Sequence, residues 1–156
     1  MNSVQNNSFM QFALEQAELA AKRGEVPVGA VLVHNRQLIC QAGNRVIELN
    51  DATAHAELLV LRQAGEILGS ERLIDCDLYV TLEPCTMCAG ALIHARVASL
   101  TFGASEPKAG AIVSSARVLD NESLNHQIEI IENVCRDECS ELMSEFFRKK
   151  REARVK

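Results

Sequence analysis

Aromatic residues are scarce in this chain of 156 residues, which has no tryptophan, one tyrosine and five phenylalanines. Aliphatic side chains must therefore fill most of the core, and a chain of this length can bury enough of them without disulfide bonds. Proline is rare as well, with three residues, and we find no internal repeat, low-complexity tract or linker. These absences predict a single domain over residues 1–156.

Long apolar segments are also missing. No run approaches the roughly 20 apolar residues of a membrane-spanning helix, and the polar first residues lack the apolar segment of a signal peptide. We therefore expect a cytoplasmic protein with no membrane partner, disordered over residues 1–7. In that compartment the six cysteines are expected to be thiols or metal ligands rather than disulfides.

The net charge of −5 argues at first against a nucleic-acid partner, because phosphates repel an acidic surface. The cations are concentrated, however, at residues 146–156, where six basic residues stand against one acid and give a net +5. This basic end of the predicted last helix is able to meet phosphates. The alternative is an ordinary solvated helix end, whose cations favour the negative pole of the helix dipole.

The apolar pattern predicts helices that alternate with strands. Thr53 is expected to cap the second helix, and Pro84 to open the third, where its missing N–H costs nothing. The order predicts an α/β fold, a three-layer α/β/α sandwich around a five-stranded mixed sheet whose opening hairpin is antiparallel. The predicted helices cover about residues 9–24, 54–68, 84–95 and 136–154, and the strands about 28–33, 37–42, 78–82, 97–102 and 128–131.

Four residues with metal and acid–base chemistry lie at the predicted starts of the second and third helices. His55 and Glu57 form an H-x-E motif, and Cys85 and Cys88 form a C-x-x-C motif after a proline. A catalytic zinc takes three protein ligands of these types and keeps a fourth position for water. Helices that follow neighbouring parallel strands begin at the same edge of a sheet, so His55 and the cysteine pair are expected to converge there.

Glu57 is expected to lean towards the open position of the metal. A zinc ion lowers the pKa of a water molecule towards about 7, and a carboxylate beside it can take and redeliver protons. Two other arrangements stay open on these residues alone. One is a closed structural zinc site with a fourth ligand from elsewhere, and the other is a thioredoxin-like redox pair formed by Cys85 and Cys88.

The combination of H-x-E with P-C-x-x-C resembles the established signature of the zinc-dependent nucleobase deaminases. The resemblance implies a cytidine-deaminase-like fold and one Zn²⁺ per chain, bound by His55, Cys85 and Cys88. It also implies that Glu57 moves a proton from the water to the base and later to the departing ammonia.

The chain from about Phe9 to Arg151 is similar to the bacterial tRNA-specific adenosine deaminases. The similarity implies conversion of adenosine to inosine at the wobble position of tRNA, in an arginine tRNA with anticodon ACG, by a homodimer that binds the anticodon loop. A free-base or nucleotide deaminase acting on guanine, cytidine or deoxycytidylate is the alternative, and a non-catalytic zinc or redox module is a remote one. The similarity is carried by residues 25–33, 53–57, 79–91 and 145–148.

Six residues are expected to contact the substrate. Asn44 has an amide that can donate and accept towards a flipped base, although a residue beside Gly43 can equally serve a turn. Phe147 is expected to stack on a base, and Arg148 and Lys108 to meet phosphates, with Lys150 as a further phosphate candidate beside Arg148. The predicted substrate-binding set is Asn44, Pro27, Ala56, Lys108, Phe147 and Arg148.

Two departures from the resembling family fall after the fourth strand. Glu106 stands where members commonly have aspartate, and Val113 lies where many have glycine. Because this loop borders the substrate strand, the preference for flanking nucleotides stays open. Of the other cysteines, Cys40 and Cys76 are expected to be small buried side chains.

Overall fold

In the computed structural model, which describes residues 2–155, the chain forms four α-helices, five strands and one short 3-10 helix. Every helix and strand that the sequence predicts is present, with shifted ends. No helix within these residues is both long and apolar enough to cross a membrane. The elements in chain order are α1 (Ser3–Lys22), β1 (Gly29–His34), β2 (Gln37–Gly43), α2 (Ala56–Leu68), β3 (Cys76–Leu82), α3 (Thr86–Ala95), β4 (Ser99–Ala104), the 3-10 helix (Val118–Asp120), β5 (Glu129–Ile131) and α4 (Arg136–Val155).

The strands form one mixed sheet in the order β2-β1-β3-β4-β5. β1 pairs antiparallel with β2 and with β3, whereas β3, β4 and β5 are parallel. β2 and β3 therefore run in the same direction. The sequence predicts that they are neighbours, but β1 lies between them. Helices α2 and α3, which follow these two strands, still begin at the same edge of the sheet.

Helices cover both faces of the sheet, which confirms the three-layer sandwich. One buried cluster joins α1 and α4 to the sheet and includes Met10, Val31 and Tyr79. A larger cluster joins α2 and α3 to the opposite face and includes Leu78 and Phe102. Tyr79 and Phe102 are the only aromatic residues among the largest fully buried side chains of residues 2–155, so the core is mainly aliphatic, as predicted.

The N-terminal end differs from the sequence prediction. α1 begins at Ser3 rather than after disordered residues 1–7. The buried Asn6 side chain accepts a hydrogen bond of 2.8 Å from the Tyr79 hydroxyl, which ties the first turns of α1 to the core. The spacing of apolar residues does not indicate this contact, because Asn6 is polar. Met1 lies outside the described residues.

The predicted helix caps are wrong in both central helices. The N-cap of α2 is His55, because the Thr53 hydroxyl instead donates a hydrogen bond of 2.7 Å to Asp51. The N-cap of α3 is Cys85, so Pro84 precedes the helix and does not open it. His55 and Cys85 therefore lie at the positive ends of helix dipoles, which favours the thiolate form of Cys85.

Gly29 lies at the start of β1, against α1. A Cβ atom there would lie 1.9 Å from the Ala13 carbonyl oxygen and 2.6 Å from the Ala17 amide nitrogen. We expect Gly29→Ala to lower the free energy of unfolding by about 2–4 kcal/mol through overpacking, measured by urea denaturation. In the control Gly90→Ala, no atom that the new Cβ would meet lies within 4 Å. This substitution should therefore stabilise α3 by up to about 1 kcal/mol. Equal stability of Gly29→Ala and wild type would contradict this packing.

Candidate active site

The three predicted metal ligands converge at the sheet edge where α2 and α3 begin. The Nδ1 atom of His55 lies 3.6 Å from Sγ of Cys85 and 3.5 Å from Sγ of Cys88. All three ligand atoms lie within 4.8 Å of one another. Within residues 2–155 this is the one group of three or more histidine, cysteine or acidic side chains placed to share an ion. The ring nitrogen that faces the two sulfurs is Nδ1, which the sequence does not indicate.

These distances fit a tetrahedral zinc ion. With zinc–sulfur bonds of about 2.3 Å and zinc–nitrogen bonds of about 2.0–2.1 Å, nitrogen and sulfur ligands in a tetrahedron lie about 3.6 Å apart. The described residues supply three ligands, so a bound zinc ion would keep its fourth position open to a water molecule or a substrate. The arrangement favours an open catalytic site over a closed structural one, and a redox pair would not account for His55.

The protonation of the three groups also suits a bound cation. Hydrogen bonds from Cys88 and His55 lower the pKa of the Cys85 thiol to about 3. The contact with Cys85, together with burial, raises the pKa of Cys88, because a second thiolate beside the first is unfavourable. The hydrogen bond to Cys85 raises the pKa of His55. A divalent cation would hold both sulfurs as thiolates, the form that binds metal.

Glu57 lies in the first turn of α2, beside the three ligands, and is 3% exposed. Its Oε1 atom is buried and has no hydrogen-bond partner within residues 2–155. Burial raises the pKa of this carboxyl, a direction typical of carboxyls that transfer protons near neutral pH. A buried carboxylate oxygen is costly unless something polar meets it, so this oxygen is suited to a ligand in the site.

Asn44 connects the end of β2 to the start of α2. Its Oδ1 atom accepts a hydrogen bond of 2.8 Å from the Ala56 backbone N–H, and its carbonyl accepts one of 3.1 Å from the Arg23 guanidinium. Asn44 thus caps α2 from outside the helix and fixes the backbone next to His55. Because the side-chain oxygen is used, the amide nitrogen is the group that can donate to a ligand in the adjoining cavity.

A cavity of about 910 Å³ opens onto the metal-ligand group. His55, Glu57 and Cys85 lie in its wall, so a ligand in the cavity reaches both the metal position and the buried carboxylate. The segment after β4 and the exposed face of α4 complete the wall and bring cations and an aromatic ring to it. These residues are Lys108, Phe147, Lys150 and Arg151.

Three of the six predicted substrate-binding residues, Asn44, Lys108 and Phe147, line this cavity, and the other three do not. Pro27 and Ala56 are buried. Arg148 is exposed and forms two ion pairs, 2.8 Å from Glu152 and 3.9 Å from Glu145.

Two buried acidic residues in the cavity wall escape the sequence prediction. Glu25 accepts hydrogen bonds from the backbone N–H groups of Ile47 and Glu48, at 3.1 and 2.9 Å. Burial alone would raise the pKa of Glu83, but hydrogen bonds from Ser114 and from backbone N–H groups outweigh burial and lower it. The sequence does carry one sign of Glu83, because a charged residue stands there between an apolar strand and the P-C-x-x-C motif.

The cysteines outside the site have the surroundings of structural side chains rather than of metal ligands. Cys40 and Cys76 are buried, as predicted, and burial raises the pKa of each thiol to about 11. Burial likewise raises the pKa of Cys139 to about 12. Within residues 2–155, Cys135 and Cys139 take part in no further group of metal ligands.

Comparison with known proteins points to one family. Residues 4–151 match the family model described as MafB19-like deaminase. The chain is 48% identical over 148 residues to a tRNA-specific adenosine deaminase of Agrobacterium fabrum, covering 95% of this chain and 97% of that one. It is 43% identical over 148 residues to one of Bacillus subtilis, covering 95% of this chain and 92% of that one.

Solved structures agree. One from a study of A-to-I editing by tRNA:A34 deaminases at the wobble position has a TM-score of 0.85 and 48% identity, covering 86% of this chain and 98% of that one. The guanine deaminase of Nitrosomonas europaea has a TM-score of 0.76 and 27% identity, covering 90% and 83%. These likenesses confirm the predicted cytidine-deaminase-like fold.

Proposed function

The chain belongs to the tRNA-specific adenosine deaminases within the MafB19-like deaminase family, and we propose that it converts adenosine to inosine at the wobble position of tRNA. The observation that carries this proposal is the buried Oε1 atom of Glu57, which lies beside the three metal ligands and has no hydrogen-bond partner within residues 2–155. When held by His55, Cys85 and Cys88, a zinc ion would supply a water molecule acidified to a pKa near about 7.

The chain's own residues would handle the protons and the base. Glu57 takes a proton from the attacking water and delivers it to a ring nitrogen of adenine as the new C–O bond forms. It then takes the proton of the new hydroxyl group and gives it to the amino group, which leaves as ammonia when the C–N bond breaks. Water and adenosine thus give inosine and ammonia, with no redox partner. The side-chain nitrogen of Asn44 donates to the base, while its oxygen holds the start of α2.

The size of the cavity supports a substrate larger than a free base. At about 910 Å³ it lies near the upper end of the roughly 300–1,000 Å³ typical of ligand sites. A single base would leave much of this space empty, whereas a flipped base with its flanking nucleotides would use it. The anticodon loop is a kind of RNA that allows bases to splay out.

Phosphate contacts are proposed to come from Arg151 and Lys150, with Lys108 from the opposite element and Phe147 as a stacking surface. Arg148, which the sequence favours, is already paired with two acidic residues. Lys108, Lys150 and Arg151 lie in the cavity wall, so phosphates can be bound there although the net charge of the chain is −5.

Arg151→Ala is expected to raise the KM for an anticodon stem-loop about tenfold, since a charge-assisted hydrogen bond contributes about 1.5 kcal/mol. It should also lower the slope of log KM against log salt by about one. Arg148→Ala, which changes the net charge equally, is the matched comparison and should have the smaller effect. A larger effect at Arg148 would show that the phosphates contact Arg148 rather than Arg151.

The finer parts of the proposal follow the family resemblance. We propose an arginine tRNA with anticodon ACG as the substrate, one zinc ion per chain, a homodimer, and the cytoplasm as the place of action. Equilibrium sedimentation of the metal-loaded protein would test the dimer, and a panel of tRNAs with adenosine at the wobble position would test the choice of tRNA.

The similarity to a guanine deaminase favours free guanine as the second candidate substrate. The test incubates the zinc-loaded protein with anticodon stem-loops that differ in the wobble base and, in parallel, with free guanine. We expect inosine only from the adenosine stem-loop. Deletion of residues 146–156 should abolish that reaction. Consumption of guanine with an untouched adenosine stem-loop would assign the chain to the second class.

A further inference from the structure

We propose that Glu83 is a positioning residue for substrate binding: its buried carboxylate holds residues 105–114 in place as one wall of the cavity. The inference rests on the proposed function only in its choice of substrate. The arrangement of the wall is independent of which base is deaminated.

One carboxylate collects hydrogen bonds from a single segment of the chain. Glu83 is 3% exposed. Its Oε1 atom accepts from the Glu106 N–H at 3.0 Å and from the Ser114 hydroxyl. Its Oε2 atom accepts from the N–H groups of Ile112, Val113 and Ser114 at 3.1, 2.9 and 3.0 Å. Both ends of the segment are therefore bound to the same side chain.

The segment fixed in this way forms part of the cavity wall. Ser105, Glu106, Pro107, Lys108 and Ala109 all line it. A second contact ties the segment to the start of the metal-binding motif, since the Ala111 N–H donates to the Pro84 carbonyl at 2.8 Å.

An ionised carboxylate suits this position for a chemical reason. It is acceptor-only and offers about four lone-pair sites, whereas the amide of glutamine replaces one oxygen with a donor. In Glu83→Gln an NH₂ group would face either the three N–H groups of residues 112–114 or the Glu106 N–H. The segment would lose at least one of its bonds while the side chain keeps its size.

Gly110 offers a second way to disturb the same contact. A Cβ atom there would lie 2.4 Å from Cδ of Glu83 and 2.4 Å from the Glu106 carbonyl oxygen. Gly110→Ala must therefore push the segment away from the carboxylate without changing any charged group. The two variants test one contact from opposite sides.

The experiment uses zinc-loaded Glu83→Gln and Gly110→Ala, with Glu122→Gln on an exposed loop as the control. Steady-state kinetics on the adenosine stem-loop should show KM raised about tenfold or more and kcat reduced less than about threefold, as expected when binding alone is lost. Zinc content should equal that of wild type. Amide hydrogen exchange over residues 106–114 should become faster in both variants and stay unchanged in the control.

Three results would overturn the proposal: an unchanged KM in both variants, a fall in kcat accompanied by loss of zinc, or unchanged exchange over residues 106–114. If Glu83→Gln does not fold, Gly110→Ala carries the same test. If wild type makes no inosine, the proposed function has failed, and the exchange measurement alone then decides whether Glu83 holds the wall.

Discussion

Replacement of Glu57 by glutamine is expected to abolish inosine formation while zinc stays bound. Glutamine keeps the size and burial of the side chain but cannot take a proton from water or give one to the leaving amino group. Loss of general acid–base catalysis costs about 10²–10⁴-fold in rate, so kcat should fall by at least that range. The KM for the stem-loop should change little, because the phosphate contacts are elsewhere in the cavity.

The stability of the same variant separates catalysis from structure. The Glu57 carboxylate is buried, and its Oε1 lacks a hydrogen bond within residues 2–155, so its neutral analogue should leave the Tm unchanged or raise it. Glu66→Gln, on the exposed face of the same helix, is the control and should keep full activity. An active Glu57→Gln enzyme, or one that has lost its zinc, would rule out the proton-transferring role.

The second large effect is expected at Cys88. Cys88→Ala removes one of three ligands, and the remaining two bind zinc too weakly to keep a catalytic ion in dilute solution. Inosine formation should fall by about a thousandfold or more, because water without the metal keeps its pKa of about 15.7. The Tm should also fall by roughly 5–10 °C, since a ligand that binds only the folded state stabilises it.

Cys139→Ala is the matched control for this experiment, because Cys139 is as deeply buried as Cys88 but lies in α4, packed against Gly103. Its zinc content, measured by atomic absorption, should stay at one per chain, and its activity should persist. Zinc retained by Cys88→Ala, or lost by Cys139→Ala, would contradict the assignment of the metal site.

The chemistry of the site could be predicted from sequence because it depends on residue types and on where helices begin. His55 and the cysteine pair converge although the strands before their helices are not neighbours. What matters for convergence is that β2 and β3 run in the same direction, and one strand can lie between them without changing that. That Nδ1 of His55 faces the two sulfurs depends on the orientation of the imidazole ring, which no sequence pattern encodes.

The surroundings of the site were less predictable, since they depend on contacts between distant segments. Asn44 caps α2 across a loop, which no local capping rule could indicate. Glu83 meets donors more than twenty residues away, so its partners appear only in the folded chain.

The orientation of α4 shows the same limit. A run of cations at a helix end predicts a basic surface but does not say which cations face the substrate. The ion pairs of Arg148 with Glu145 and Glu152 follow from helical spacing and are readable from sequence. That Lys150 and Arg151 line the cavity depends on how α4 packs on β3 and β4.

The most direct test of the account is the reaction of the zinc-loaded protein with an adenosine anticodon stem-loop in heavy-oxygen water. Mass spectrometry would follow the wobble nucleoside while released ammonia is titrated. We expect inosine that carries the heavy oxygen on its base, with one ammonia for each inosine formed. Adenosine left intact at the wobble position, or inosine without the label, would contradict hydrolytic deamination of tRNA by this site.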